Sequence, residues 1–250
     1  MEFIIIPFVN ALLYIYQFLG ENFGFAIIIF TILTRLALYP FSRSQMKSSQ
    51  AMQEIQQDPA WLKIQKKHKN DKQKLQEEQA KFYKEKGINP LGSCLPTLLQ
   101  LPIIFGMYGA IARVMAATPL QLVQLASSVT MPSAASLIPL NSSFLWITDL
   151  SQPERLFLPF LPEFGIPVLA IIVFITSYFS NKMIAPPSNN PDDPSAQMGK
   201  SMSLMMPLMM AYFSYAYSGG LALYFVTSNL ASILQYVLSG RIKLGKKKVA

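Results

Sequence analysis

Five apolar stretches dominate this sequence and restrict what it can fold into: 22–41, 91–112, 165–185, 201–217 and 221–240. A helix of about 20 mostly apolar residues is what crosses the hydrocarbon of a bilayer. None of the five contains an aspartate or a glutamate, and only 14% of the 250 residues are charged, against roughly 25% in a soluble domain. The sequence therefore predicts an all-α polytopic membrane protein with five transmembrane helices.

The cations predict how these helices are oriented. Eighteen Lys and Arg residues, with Lys182 among them, fall on one side of the predicted spans, in 42–90, 186–200 and 241–250. Two fall on the other side, in 1–21, 113–164 and 218–220. Because cytoplasmic loops carry the excess of Lys and Arg, we expect the N-terminus outside and the C-terminus in the cytoplasm or stroma.

The charged stretch 42–90 is predicted to be a cytoplasmic helical hairpin. It holds eleven basic and six acidic residues. Asp58 before Pro59 suits the start of a helix, and Gly87 suits its end, so we expect helices at 42–57 and 59–86. Leu75 and Phe82, one heptad apart, supply part of a weak seam. Two interpretations stay open: a solvated basic face near anionic lipid, or an arm that recruits substrates.

The remaining segments are predicted to be an N-terminal interfacial helix, loops and a tail. Residues 1–21, broken by Pro7, suit an amphipathic helix on the membrane surface, with an extra span as the alternative. In the extracytoplasmic loop 113–164, Trp146 suits another interfacial helix. Loop 186–200 has the composition of a flexible cytoplasmic connector. Ser218-Gly219-Gly220 predicts a tight turn between the last two spans, and the basic tail 241–250 would attract lipid phosphate or RNA.

Arg35 is a cation inside the first span without an acidic partner in any span. Such a residue costs about 2.5–3.5 kcal/mol on insertion scales. Ser228, Ser232 and Gln235 form a polar stripe on the last span, with Asn229 beside it. Together with Gln100 on the second span, they predict a wet polar cavity around Arg35. The alternatives are snorkelling of Arg35 towards the nearby cytoplasmic surface and ordinary hydrogen bonding between helices.

A methionine row on the fourth span includes Met202, Met205 and Met209. Methionine adapts to varied apolar contacts, so the row predicts a hydrophobic slide that Tyr224 and Phe225 extend; gap filling or lipid contact is the alternative. The sequence offers no carboxylate pair or nucleophile–base set, and it has one cysteine and one histidine. We therefore expect no enzyme, no metal site and no cofactor.

The sequence resembles the YidC/Oxa/Alb family of membrane protein insertases over residues 20–240. The matching elements are the charged hairpin together with Gly24–Arg35, Tyr39-Pro40, Asn89–Pro102, Phe144–Leu150 and Ser218–Leu230. The resemblance implies five transmembrane helices around a hydrophilic groove open to the cytoplasm. It places the groove arginine at Arg35, a glutamine at Gln100 and an aromatic pair at Tyr224 and Phe225. The family's slide lies on helices three and five, in conflict with a methionine slide on the fourth span.

The resemblance implies an insertase and chaperone that inserts integral membrane proteins and helps them fold. Its partners would be nascent membrane proteins and lipids, then the Sec translocon and the ribosome, although the basic tail is short for stable ribosome attachment. No specific DNA binding is expected. The implied location is the plasma (inner) membrane or the thylakoid membrane. The competing functions are a small-anion transporter or channel and an assembly scaffold.

Overall fold

The computed structural model describes residues 2–68, 71–87, 95–115, 119–129, 140–158, 161–184 and 194–238. These residues form ten α-helices and one antiparallel two-stranded sheet. In chain order the elements are α1 (Glu2–Phe18), α2 (Phe23–Ala37), α3 (Tyr39–Gln56), α4 (Pro59–Lys67), α5 (Lys72–Glu85), α6 (Leu95–Val114), α7 (Pro119–Ser128), β1 (Leu156–Leu158), β2 (Leu161–Ile166), α8 (Val168–Ile184), α9 (Pro194–Ala216) and α10 (Gly219–Leu238).

Length and apolar composition single out α10 as a helix able to cross a membrane by itself. Helix α2 and the segment Tyr39–Ser48 pass the same test together, as one span bent by 63°. Shorter apolar helices lie at Glu2–Phe18, Gln100–Val114 and Val168–Met183. Within the described residues there is thus one such helix, or two with the bent pair, and the five spans stay a prediction.

The bend between α2 and α3 follows from Pro40. Leu38 ends α2 and precedes α3, whose second residue is Pro40. Proline has no N–H to bond back to the carbonyl of Leu36, and its ring clashes with that carbonyl in a continuous helix. The chain therefore turns away from the axis of α2 only three residues after Arg35.

One end of the helix bundle is sealed, and we call it the closed end. The start of α2, the end of α6 and the start of α10 meet there: a Cβ on Gly220 would lie 3.2 Å from Ile27 and 3.3 Å from Ile111. The first amides of α10 are also satisfied, because Gly219 N donates to Gln152 O at 2.8 Å and Gly220 N donates to Leu150 O at 2.9 Å. Buried apolar side chains of all three helices fill this end.

Helix α1 lies across the closed end. Near its C-terminus Tyr16 packs against Phe23 with ring centroids 6.1 Å apart, and at its N-terminus Glu2 pairs with Arg113 of α6 at 3.0 Å. The predicted break at Pro7 is wrong, because α1 runs through it. Pro7 lies so near the helix start that it removes only the bond to the carbonyl of Phe3.

The loop before the sheet contradicts the predicted interfacial helix at Trp146. Phe144 and Ile147 form a β-bridge instead. The side chains of Asn141 and Asp149 accept hydrogen bonds from backbone amides two residues ahead, and such local bonds compete with helix formation. Beyond this loop, β1 and β2 occupy residues that were predicted as loop and as the start of the third span.

Helices α3, α4 and α5 carry a small core of their own, which we call the hairpin core. It contains Ile55, Trp61, Leu75, Phe82 and Tyr83, with Ile64 packed against it. The predicted cap at Asp58 is confirmed, because its carboxylate accepts from Ala60 N at 2.9 Å, and so is the predicted stop at Gly87, where φ is +67°.

The single predicted helix over 59–86 is wrong. Asp71 accepts a hydrogen bond from Lys74 N and thereby caps a new helix, α5. Asp71 also pairs with Lys74 at 3.7 Å.

Candidate functional site

A partly open cavity of about 190 Å³ lies between the helices, away from the closed end. Helices α2, α3, α6, α8, α9 and α10 all contribute to its walls. Its polar lining residues are Arg35, Ser42, Gln45, Gln100, Ser177, Ser180, Asn181, Ser228, Asn229, Ser232 and Gln235. The structure thus brings together all six residues predicted from the sequence to line a groove: Arg35, Gln100, Ser228, Asn229, Ser232 and Gln235.

Arg35 is the cation of this cavity. It lies in the last turn of α2, where the negative end of the helix dipole favours a positive charge. Its Nε donates to Ser228 Oγ at 3.1 Å, and its Nη2 donates to the same oxygen. Among the residues that the structure describes, no carboxylate forms an ion pair with it. The side chain therefore turns inward to α10, and no carboxylate among the described residues offsets its charge.

Two hydrogen bonds tie α10 to its neighbours at this level. Ser228 Oγ accepts from Arg35 of α2. One turn earlier on α10, the phenol oxygen of Tyr224 accepts from Gln100 Nε2 of α6 at 2.8 Å. Helices α2, α6 and α10 are thereby tied around the cavity.

Helix α8 supplies a polar wall that the sequence analysis missed. Asn229 Nδ2 donates to Ser177 Oγ at 2.7 Å and to Thr176 Oγ1 at 3.3 Å. Ser180 and Asn181 line the cavity on the same helix. Their spacing of three and four residues after Ser177 was a usable signal, because it puts all of them on one face of a helix.

The first turns of α3 also line the cavity without having been predicted to do so, because their sequence is typical of the cytoplasmic helical hairpin. Ser42, Gln45 and Met46 line the cavity, and Met46 is buried. The bend at Leu38 directs α3 past the cavity mouth. Residue spacing within one helix cannot predict this wall, because its position depends on the angle between α2 and α3.

The predicted hydrophobic slide does not lie on one surface. Tyr224 is only 2% exposed, so it lies inside the protein, which corrects its predicted place on the slide. Phe225 is buried as well, but it lines the cavity. Met205 is 70% exposed, whereas Met209 lines the cavity while staying partly accessible. The side chain of Met202 lies outside the described part of the chain.

Comparison with known proteins gives a consistent family. The family described as 60Kd inner membrane protein matches residues 14–246. A protein of Clostridium tetani named Membrane protein insertase YidC is 34% identical over 222 residues, which are 89% of this chain and 83% of that protein. A protein of Helicobacter pylori with the same name is 33% identical over 236 residues, 94% of this chain and 36% of that protein. The chain thus spans most of the first relative and about a third of the second.

A solved structure resembles the fold as well. It is titled "Active YidC insertase crystal structure with the first transmembrane domain resolved", and it is similar with a TM-score of 0.57 and 29% sequence identity over 93% of this chain and 45% of that one. Together with the mostly helical structure, this similarity supports an α-helical membrane protein. From the match over residues 14–246 and the relative in Clostridium tetani, this chain belongs to the 60Kd inner membrane protein family, the family of the YidC insertases.

Proposed function

We propose that this protein inserts integral membrane proteins into the bilayer and helps them fold. The observation that carries the proposal is Arg35, a cation held by a hydroxyl in a polar cavity. Low-dielectric walls focus the field of such a charge, so the cavity would attract a polar or acidic segment of a nascent chain. The proteins named YidC among its relatives are insertases by name.

The proposed topology has five spans with the cavity open to the cytoplasm. Helix α3 follows α2 at the cavity end, so the basic hairpin and the cavity share one side of the membrane. The excess of Lys and Arg favours the cytoplasm for that side. The closed end then faces outside, where α1 would lie along the surface. A membrane-impermeant thiol reagent tests this: Gln73→Cys should react only after permeabilisation of right-side-out vesicles.

The proposed mechanism needs no nucleotide. A cavity of about 150 Å³ holds one benzene molecule, so a cavity of about 190 Å³ is too small for a polypeptide segment. A substrate segment must therefore widen the cavity, and we propose that the wall formed by α3 moves to admit it. The apolar part of the substrate passes meanwhile along exposed apolar side chains into lipid. An acidic tail also gains about 2.3 kcal/mol per charge per 100 mV of membrane potential.

Reconstitution tests the function directly. The purified protein in proteoliposomes should render a single-span substrate with an acidic N-terminal tail resistant to protease at the translocated end. Arg35→Ala should reduce this protection, and Arg35→Lys should retain part of it because the charge stays. Arg43→Ala, an exposed arginine on α3, is the matched control and should insert normally. Equal insertion by Arg35→Ala and the control would refute the role of the charge.

The same vesicles separate the competing functions. A small-anion channel would give saturable anion flux without substrate, and it would need a path through the closed end. A scaffold would bind the substrate without protecting it. Nascent membrane proteins and lipids are the partners that insertion requires, and co-purification from native membranes would test the Sec translocon and the ribosome as further partners.

A further inference from the structure

The β-hairpin at the closed end exposes apolar side chains. Strands β1 and β2 pair antiparallel, with Leu156 opposite Ile166. The Phe157 ring crosses Gly165 on the other strand, where a Cβ would lie 3.1 Å from the ring. Phe157 nevertheless stays 58% exposed. In the loop before the hairpin, Leu145 is 75% exposed. The described part of the protein covers neither side chain.

Neither bulk water nor hydrocarbon suits this hairpin. A sheet of two strands alone is marginally stable in water, and exposed apolar groups there tend to find a partner. In the hydrocarbon core, the backbone groups at the outer edges of a two-stranded sheet would lack hydrogen bonds at a cost of several kcal/mol each. The boundary between headgroups and acyl chains meets both needs, because polar groups and water satisfy the edges while lipid covers the rings.

Side chains near the hairpin also indicate that this end of the protein lies at the boundary between lipid headgroups and acyl chains. The Arg155 guanidinium lies 5.3 Å above the ring of Tyr215 near the end of α9. Tyr217 and Tyr108 form an edge-to-face pair with ring centroids 5.1 Å apart. All three tyrosines are exposed. Tyrosine and arginine in this arrangement are typical of a membrane interface, where the ring lies among lipid chains and the cation reaches a phosphate.

We propose that strands β1 and β2, with Arg155 directly before them, form a lipid anchor in the leaflet at the closed end. Phe157 lies just below the phosphates, and Arg155 lies at their level. The anchor directly precedes α8, which forms one wall of the cavity, so it fixes the height of that wall in the bilayer. This inference rests on residence in a membrane and does not depend on insertase activity.

Spin labelling measures the depth. In a Cys94→Ser background, Phe157→Cys carries a nitroxide in vesicles of phosphatidylethanolamine and phosphatidylglycerol, one protein copy per vesicle. Collision with oxygen, which concentrates in the membrane, is compared with collision with a water-soluble nickel chelate. Gln73→Cys on the exposed face of α5 gives the value for water. Ile175→Cys, an exposed site in the middle of α8, gives the value for the membrane interior.

We expect the ratio of oxygen to nickel collisions at residue 157 to exceed that at residue 73 several-fold and to stay below that at residue 175. A ratio equal to that at residue 73 would overturn the anchor, and so would one equal to that at residue 175. Protection from both reagents would mean that protein covers the site, which also overturns it. If Phe157→Cys fails to fold, Leu145→Cys takes its place with the same expected order.

Discussion

The close approach of Gly24 to Phe144 allows a quantitative test of how the closed end is packed. A Cβ on Gly24 would lie 2.1 Å from Phe144 Cδ2 and 2.2 Å from its Cγ. Carbon atoms prefer about 3.5–4.0 Å, so Gly24→Ala forces the ring back by roughly 1.5 Å. The ring has no free space to enter, because it is buried and packs edge-on against Phe25 at 5.3 Å.

The expected cost of Gly24→Ala follows from opposing terms. Alanine in place of glycine within a helix gains about 0.5–1 kcal/mol. Overpacking of a filled core costs about 1–3 kcal/mol, and complete ejection of Phe144 would approach the ~3–5 kcal/mol of a buried Phe→Ala change. We therefore expect a net loss in the free energy of unfolding of up to about 2.5 kcal/mol if the ring shifts and of about 2–4.5 kcal/mol if it is ejected, whereas an exposed helical glycine would show a gain.

Equilibrium unfolding in mixed micelles with increasing dodecyl sulfate measures this loss. Gly24→Ala, Phe144→Ala and the double variant form a cycle. In the double variant the new methyl group occupies space left by the ring, so its destabilisation should be smaller than the sum of the two single losses by about 1 kcal/mol or more. A stabilised Gly24→Ala variant, or strict additivity in the cycle, would show that the two residues do not touch.

Three further predictions concern the hairpin core and the cavity. Hydrogen bonds from Lys86 Nζ and from a backbone amide lower the pKa of Asp58, so the stability it contributes is present above the ordinary carboxyl pKa and disappears as pH falls through the lowered value. The protection factors of the α4 amides, which correct for the intrinsic slowing of exchange in acid, should therefore fall as the pH drops, and Asp58→Asn should remove that fall. Trp61→Ala should cost about 3–5 kcal/mol and speed exchange in α3–α5 while α10 keeps its protection; uniform acceleration would contradict a separate core. Tyr224→Phe should destabilise by about 1–3 kcal/mol because Gln100 loses its acceptor, and a neutral result would contradict that bond.

Part of the polar lining of the cavity could be predicted from the sequence, because the residues that form it repeat at helical spacing within a single helix. Ser228, Ser232 and Gln235 repeat at helical spacing, and this alone puts them on one face. The absence of a carboxylate from the spans could likewise be read directly, and it indicated a cavity around Arg35. Both signals depend only on sequence and on the geometry of one helix.

What could not be predicted depends on how helices are rotated and inclined against each other. The inward rotation of Tyr224 is set by its bond to Gln100 on another helix, and its aromatic character equally suits a lipid-facing surface. Met46 belongs to a charged segment, and only the 63° bend after α2 brings its helix to the cavity. The break before α5 depends on Asp71 capping the next turn, a choice that helix propensity alone does not decide.

Ser228, the neutral partner of Arg35, explains how the span can hold a cation that no carboxylate neutralises. A carboxylate partner would satisfy the guanidinium but would cancel the field that the proposed mechanism uses to attract a substrate. Ser228 accepts from two of its nitrogens without adding charge. A hydrogen bond to a charged group contributes about 1.5–3 kcal/mol, against the ~2.5–3.5 kcal/mol that an arginine costs within a span. The two nearly balance, so the hydroxyl can hold the cation in the span. In the proposed mechanism, a carboxylate of the substrate would then compete for Arg35 with a neutral partner only.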